Sequence, residues 1–183
     1  MSSDHQSSNT LRKIFLAGGC FWGVQQYMAG IRGVAATEVG YANGDPSIEN
    51  PSYEAVRYEN TGHTEAVRID YDPALCPLKA LLRLFYEIID PTEVDRQGHD
   101  IGHNYRTGVY YTDQADLPVI TETVRELAGK YEKPLAMEVL PLANFWTAEE
   151  YHQDYLEKNP TGYCHVPLAK IRWVKTVDPM DFA

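Results

Sequence analysis

Three cysteines, Cys20, Cys76 and Cys164, are the residues of this 183-residue chain whose type most directly offers covalent chemistry. So odd and sparse a set does not make the disulfide scaffold of a small secreted protein, and it directs attention to thiol reactivity. Cys20 stands in Gly18-Gly19-Cys20-Phe21-Trp22-Gly23, after a short apolar run and before a helical one. A cysteine at a helix start meets backbone N–H groups and the positive end of the dipole, which favour thiolate. A free thiol is only about 3% ionised at pH 7, so a shift of one or two units matters. The flanking glycines let a substrate approach the backbone, and Phe21 and Trp22 offer an apolar wall. The same residues also fit a small buried cysteine among core aromatics. Cys76 precedes Pro77 at another helix start, so helix position alone does not separate the two thiols. Cys164 lies in Asn159-Pro160-Thr161-Gly162-Tyr163-Cys164-His165, a stretch dense in turn formers that reads as a surface loop.

Positioning these residues requires a core, and the pattern supplies strands alternating with helices. Strands are expected over 13–17, 34–41, 64–71, 107–111 and 135–140, and helices over 77–89 and 116–131. The helix after Cys20 should stop at Gly30. Asn50-Pro51 reads as an N-cap and first helical residue, and Thr147-Ala148-Glu149-Glu150 opens a third helix with a capping-box pattern. Residues 98–104 read as a loop. In the strand 64–71, Glu65, Val67, Ile69 and Tyr71 share one face, with Ala66, Arg68 and Asp70 on the other. An inward Glu65 is desolvated and keeps its proton near neutrality; a strand-end Glu65 that escapes to solvent does not.

Composition narrows the function. Apolar residues make up 44% of the chain and charged ones 23%, enough to build a core. The net charge of −10 repels phosphate backbones, so neither nucleic acid nor an anionic membrane is an expected partner. The polar first ten residues do not read as a signal peptide, and no apolar run reaches the ~20 residues of a membrane helix. A soluble, cytoplasmic monomer is expected. Residues 1–12 should be a disordered tail and 13–183 a single catalytic domain, loop-like from Asn159, with Ile171-Arg172-Trp173-Val174 packing back or serving a partner.

Gly19-Cys20-Phe21-Trp22-Gly23 resembles the signature of the class A peptide methionine sulfoxide reductases. The resemblance continues through Val39-Gly40-Tyr41-Ala42, Asn50-Pro51-Ser52-Tyr53-Glu54, Thr61-Gly62-His63-Thr64-Glu65-Ala66-Val67, Asp90-Pro91-Thr92, Arg96-Gln97-Gly98 with Asp100, and Tyr105-Arg106. It resumes at Ala148-Glu149-Glu150-Tyr151-His152-Gln153-Asp154-Tyr155-Leu156 and Asn159-Pro160, covering roughly residues 13 to 165. The resemblance implies an α+β two-layer sandwich, a mixed sheet with a ferredoxin-like βαβ core. It also implies reduction of methionine S-sulfoxide, free or in proteins, without metal or other cofactor. Cys20 matches the family nucleophile, Glu65 the proton donor, and Tyr53 and Tyr105 the hydroxyls that orient the sulfoxide oxygen. Phe21 and Trp22 match the pocket for the S-methyl group, and Asp100 a carboxylate lining the same cleft. Cys164 matches the resolving cysteine. No second one follows it, so a Cys20–Cys164 disulfide recycled by thioredoxin is implied, with Cys76 a bystander.

The chain departs from the family pattern at Asn104, where Gln is usual, at Gln25, where an acid is common, and at His99 and His103. The two histidines are spaced like a metal pair, but Gly98 and Gly102 oppose a helix there. Two rival readings use the same residues. A cysteine hydrolase would pair Cys20 with a histidine base and need neither reductant nor Cys164. A non-catalytic peptide-binding domain would seat an apolar side chain in a Phe21/Trp22 cleft.

Overall fold

A computed structural model describes residues 10–183; of the expected tail, residues 1–9 lie outside the described residues. The chain runs β1 (Arg12–Gly18), α1 (Phe21–Ala29), β2 (Val34–Ala42), α2 (Tyr53–Tyr58) and β3 (Thr64–Tyr71). Next come α3 (Leu78–Tyr86), a small hairpin of β4 (Arg96–Gln97) and β5 (Asp100–Ile101), β6 (Thr107–Tyr111) and α4 (Leu117–Ala128). It ends with β7 (Glu138–Pro141), β8 (Phe145–Thr147), α5 (Tyr155–Lys158) and α6 (Leu168–Val174).

The main sheet has the order β7-β6-β1-β3-β2-β8. Strand β3 pairs antiparallel with β1 and β2, and β1 antiparallel with β6; only β6 and β7 are parallel. Helix α1 joins β1 to β2 across β3, and α3 joins β3 to β6 across β1. These two interleaved βαβ crossings are the expected ferredoxin-like core, with β7 and β8 added at the edges. The period of two sorts each strand between two apolar clusters. Ile14, Leu16, Val67 and Ile69 pack under α1 and α3, while Phe15, Ala17, Ala66 and Tyr110 form a smaller cluster covered by Leu142 and Phe145. That second cover is why Ala66, on the expected outward face, is buried, while Arg68 beside it pairs with Glu38 and Asp70.

Several expected elements shift. The cap of α2 is Ser52, whose hydroxyl accepts the Ala55 N–H at 3.1 Å, because Asn50 is left-handed at φ 45°. The 98–104 stretch contains the β4–β5 turn at Gly98. The expected third helix does not open at Thr147. Thr147 closes β8 and its hydroxyl donates to Glu38, a short 3-10 turn spans Glu150–His152, and left-handed Asp154 interrupts the chain before α5. The tail is not all loop: α6 buries Ile171 and Val174 in the main core. Among the described residues no helix is long and apolar enough to cross a membrane.

Gly40 of β2 lies against β8, where an added Cβ would sit 2.4 Å from the Phe145 ring and 2.5 Å from the Trp146 carbonyl oxygen. Gly40→Ala should therefore lower stability by about 1–3 kcal/mol through overpacking. Urea unfolding checks this; an unchanged midpoint would mean that β8 yields freely.

Candidate active site

The end of β1 delivers the chain into a glycine turn. Gly19 has φ 87°, and a Cβ there would clash with Gln97 Cβ at 2.8 Å, so this turn requires glycine. Cys20 follows as the N-cap of α1, and the Trp22 N–H points at its sulfur. The neighbouring Phe21 N–H donates instead to Oε2 of Glu65, at 3.0 Å. Glu65 is the second residue of β3 and only 1% exposed, so the inward reading of the strand pattern holds. Burial pushes its carboxyl up to about 8, Asp100 adds to the shift, and the Phe21 N–H opposes it.

The expectation of a thiolate-favouring helix start is corrected here. Cys20 is 7% exposed, and its thiol is raised well above its ordinary value, first by burial and then by Glu65. A helix terminus contributes about 0.3–1 kcal/mol to a nearby charge. Full burial can shift a pKa by up to about 3–5 units, so burial prevails. Cys20 and Glu65 thus both rest protonated at neutral pH.

A cleft of about 400 Å³ opens over the sulfur. Its lining brings together Cys20, Phe21, Trp22, Tyr53, Glu65, Asp100 and Tyr105, drawn from α1, α2, β3, β5 and the turn after β5. The indole of Trp22 stacks on Tyr155 with ring centres 3.7 Å apart and planes 9° off parallel, and its Nε1–H donates to His152 Nδ1 at 3.0 Å. The Tyr53 hydroxyl accepts from Arg57 Nη1 at 2.6 Å, and burial raises the Tyr105 hydroxyl. Asp100 accepts the Tyr163 hydroxyl.

Cys164 lies outside this cleft. It is half-buried behind α1, where its Sγ is 3.1 Å from where a Gly23 Cβ would be, and it donates to the Val166 carbonyl at 3.2 Å. A second depression of about 440 Å³ opens over it, and Tyr163 and His99 line both openings. All three cysteines are free thiols. Cys76 is fully buried against Gly33, where burial pushes its thiol up to about 12. His103 pairs with Asp95 at 2.9 Å, and no cluster suited to a metal occurs among the described residues. The motif reading assigned no part to Arg57, His152, Tyr155 and Tyr163. Only His152 and Tyr155 carried a signal, since they fall within a matching motif.

A ferredoxin-like sandwich that presents a buried sulfur to a protonated carboxyl places this chain among the cysteine-dependent enzymes. More particularly, it belongs to the peptide methionine sulfoxide reductase family, whose model matches residues 12–178. It is 57% identical over 155 residues to the peptide methionine sulfoxide reductase MsrA of Lachnoclostridium phytofermentans, covering 85% of this chain and 92% of that one. Among solved structures, reduced Mxr1 from Saccharomyces cerevisiae superposes with a TM-score of 0.80 at 36% identity, covering 86% of this chain and 91% of the yeast one. Mxr1 in complex with Trx2 superposes at 0.57 with 26% identity, covering 81% and 87% respectively.

The Glu65 shift has a consequence for stability. Ionising this group costs the folded state, so stability present below pH 4.5 declines until the pH passes about 8. Glu65→Gln keeps the acceptor for Phe21 and removes the titration. The Tm advantage of Glu65→Gln over wild type should widen from pH 5 to 8 and then level off, and a gap independent of pH would refute the buried-acid assignment.

Proposed function

We propose that this protein is a peptide-methionine (S)-S-oxide reductase that returns methionine S-sulfoxide, free or in peptides and proteins, to methionine. The observation that carries the reading is the Cys20 sulfur, set beside a protonated Glu65 in a cleft walled by Phe21 and Trp22. The wall accepts the S-methyl group, and the Tyr53 and Tyr105 hydroxyls meet the sulfoxide oxygen, with Asp100 on the same rim. The Cys20 sulfur attacks the sulfoxide sulfur while Glu65 delivers a proton to the oxygen. The thiol hydrogen replaces that proton on Glu65. The substrate S–O bond breaks as the oxygen passes to the Cys20 sulfur, so methionine leaves reduced by two electrons and Cys20 is left oxidised to a sulfenic acid.

Cys164 then attacks the Cys20 sulfur, water departs and a Cys20–Cys164 disulfide forms. Thioredoxin reduces it, a reading supported by the Trx2 complex of the yeast relative and by the depression that opens over Cys164. Residues 13–183 act as one catalytic domain, working as a monomer in the reducing cytoplasm. The facing partner of Cys20 is a carboxyl and not an imidazole, which favours this scheme over a cysteine hydrolase.

Turnover of a methionine sulfoxide peptide with thioredoxin tests the scheme. Cys20→Ser should be inactive and Cys76→Ser close to wild type. Cys164→Ser should release a single equivalent of methionine and then stall; sustained thioredoxin-driven turnover by that variant would refute the two-thiol cycle. Separately, Glu65→Gln should lower kcat by about 100-fold or more with little change in KM. A rise in KM that accounts for the whole loss would remove Glu65 from proton transfer.

A further inference from the structure

The imidazole of His165, the residue after Cys164, is used by nothing described so far. Its side chain is only 8% exposed and is tucked under the turn that presents Cys20. Nε2 lies 2.9 Å from the Gly18 carbonyl oxygen, and a Cβ on Gly19 would be 3.2 Å from that same nitrogen. A carbonyl only accepts, so Nε2 carries the hydrogen, and Nδ1 of the neutral ring is a bare acceptor. Nδ1 has no hydrogen-bond partner. Facing it at 3.9 Å is Oδ2 of Asp100, also buried and without a partner.

Two bare acceptors facing each other where both are largely buried repel until a proton arrives, after which they attract. A source of that proton lies across the Cβ position of Gly23. A Cβ built on Gly23 would lie 3.1 Å from the Cys164 sulfur and 3.2 Å from His165 Nδ1, so thiol and ring flank one spot behind α1. The resting Cys164 thiol points to the Val166 carbonyl, and burial raises its pKa, so it needs a base before it can attack.

We propose that His165 is the acid–base group of disulfide closure: Nδ1 takes the Cys164 proton and returns it to the departing hydroxyl. The inference rests on the reductase reading, because a Cys20 sulfenic acid is the electrophile. The S–S bond forms as the Cys20 S–O bond breaks. Cys164 sulfur is oxidised and Cys20 sulfur reduced, the thiol hydrogen leaves in water, and no further reactant is consumed. Asp100 steadies the imidazolium between the two transfers. Other titratable groups beside the ring are His99, Asp90 and Glu93 from the segment around β4, and Tyr163 and Cys164 from its own loop. Burial lowers the ring's pKa while the Gly18 bond and Asp100 raise it, so the net shift is downward and the ring is neutral at pH 7.

Single-turnover experiments separate closure from the preceding chemistry. Reduced enzyme is mixed with one equivalent of methionine sulfoxide peptide, and methionine release and loss of thiols are followed together. His165→Gln keeps a donor for the Gly18 carbonyl but has no base. Closure should slow relative to methionine release by about 100-fold at pH 7, and recover as the pH rises toward the thiol range. An unchanged ratio, or equal slowing of both steps, would overturn the proposal.

Should His165→Gln fail to fold, the wild-type pH profile decides. Closure should lose rate as the ring protonates, and Asp100→Asn should move that acid limb to lower pH, because the carboxylate is what holds a proton on the ring. An acid limb that stays in place overturns the role. If wild type releases no methionine, the reductase reading falls. Closure started instead by forming the sulfenic acid with hydrogen peroxide would still decide for or against His165.

Discussion

The hydrogen bond from the Phe21 amide to the buried Glu65 carboxyl ties the start of α1 to the central strand of the sheet. One residue before it is the sulfur, and one residue after it is the indole wall. A carboxyl oxygen accepts that N–H whether or not the group is ionised, so the geometry of the turn survives a change of proton number. Strand β3 holds Glu65 in register opposite Tyr41, between two antiparallel neighbours. The floor of the cleft is therefore set by the sheet, although most of its rim comes from short helices and turns.

Excluding water from this turn has a single electrostatic effect expressed twice. Burial raises the thiol of Cys20 and the carboxyl of Glu65, and Glu65 raises the thiol further. Groups coupled in this way lose protons as a pair, and whichever ionises first holds the second proton more firmly. The resting pair is uncharged. That arrangement differs from a thiolate stabilised by a helix dipole, because the resting sulfur keeps its proton.

Much of this was legible in local sequence. The alternation of residues 64–71 placed Glu65 inward, and the Gly-Gly-Cys turn between a strand and a helix placed Cys20 correctly. Elements whose reasons lie far along the chain were not legible. Thr147 and Glu150 mimic a capping box, yet the Thr147 hydroxyl serves Glu38 and the intervening Glu149 serves Tyr41 and Tyr53, about a hundred residues away. Helix α6 hid among turn formers, although Leu168, Ile171 and Val174 keep a helical spacing. Within the site, Tyr53, Tyr105 and Asp100 could be chosen from composition by no rule, and only the family resemblance selected them. Arg57 and Tyr163 escaped both routes, because each acts through a contact that exists only once the chain has folded.

Trp22 was described as a wall, but its stack on Tyr155 and its bond to His152 also decide what a ligand does not have to do. Ordering a loose side chain at an interface costs about 0.5–1.5 kcal/mol. Here the indole is already fixed at two points before anything arrives. Burying one small apolar group gains about 0.8 kcal/mol per methylene, comparable with that loss. A prearranged indole removes that loss before any apolar side chain enters the cleft.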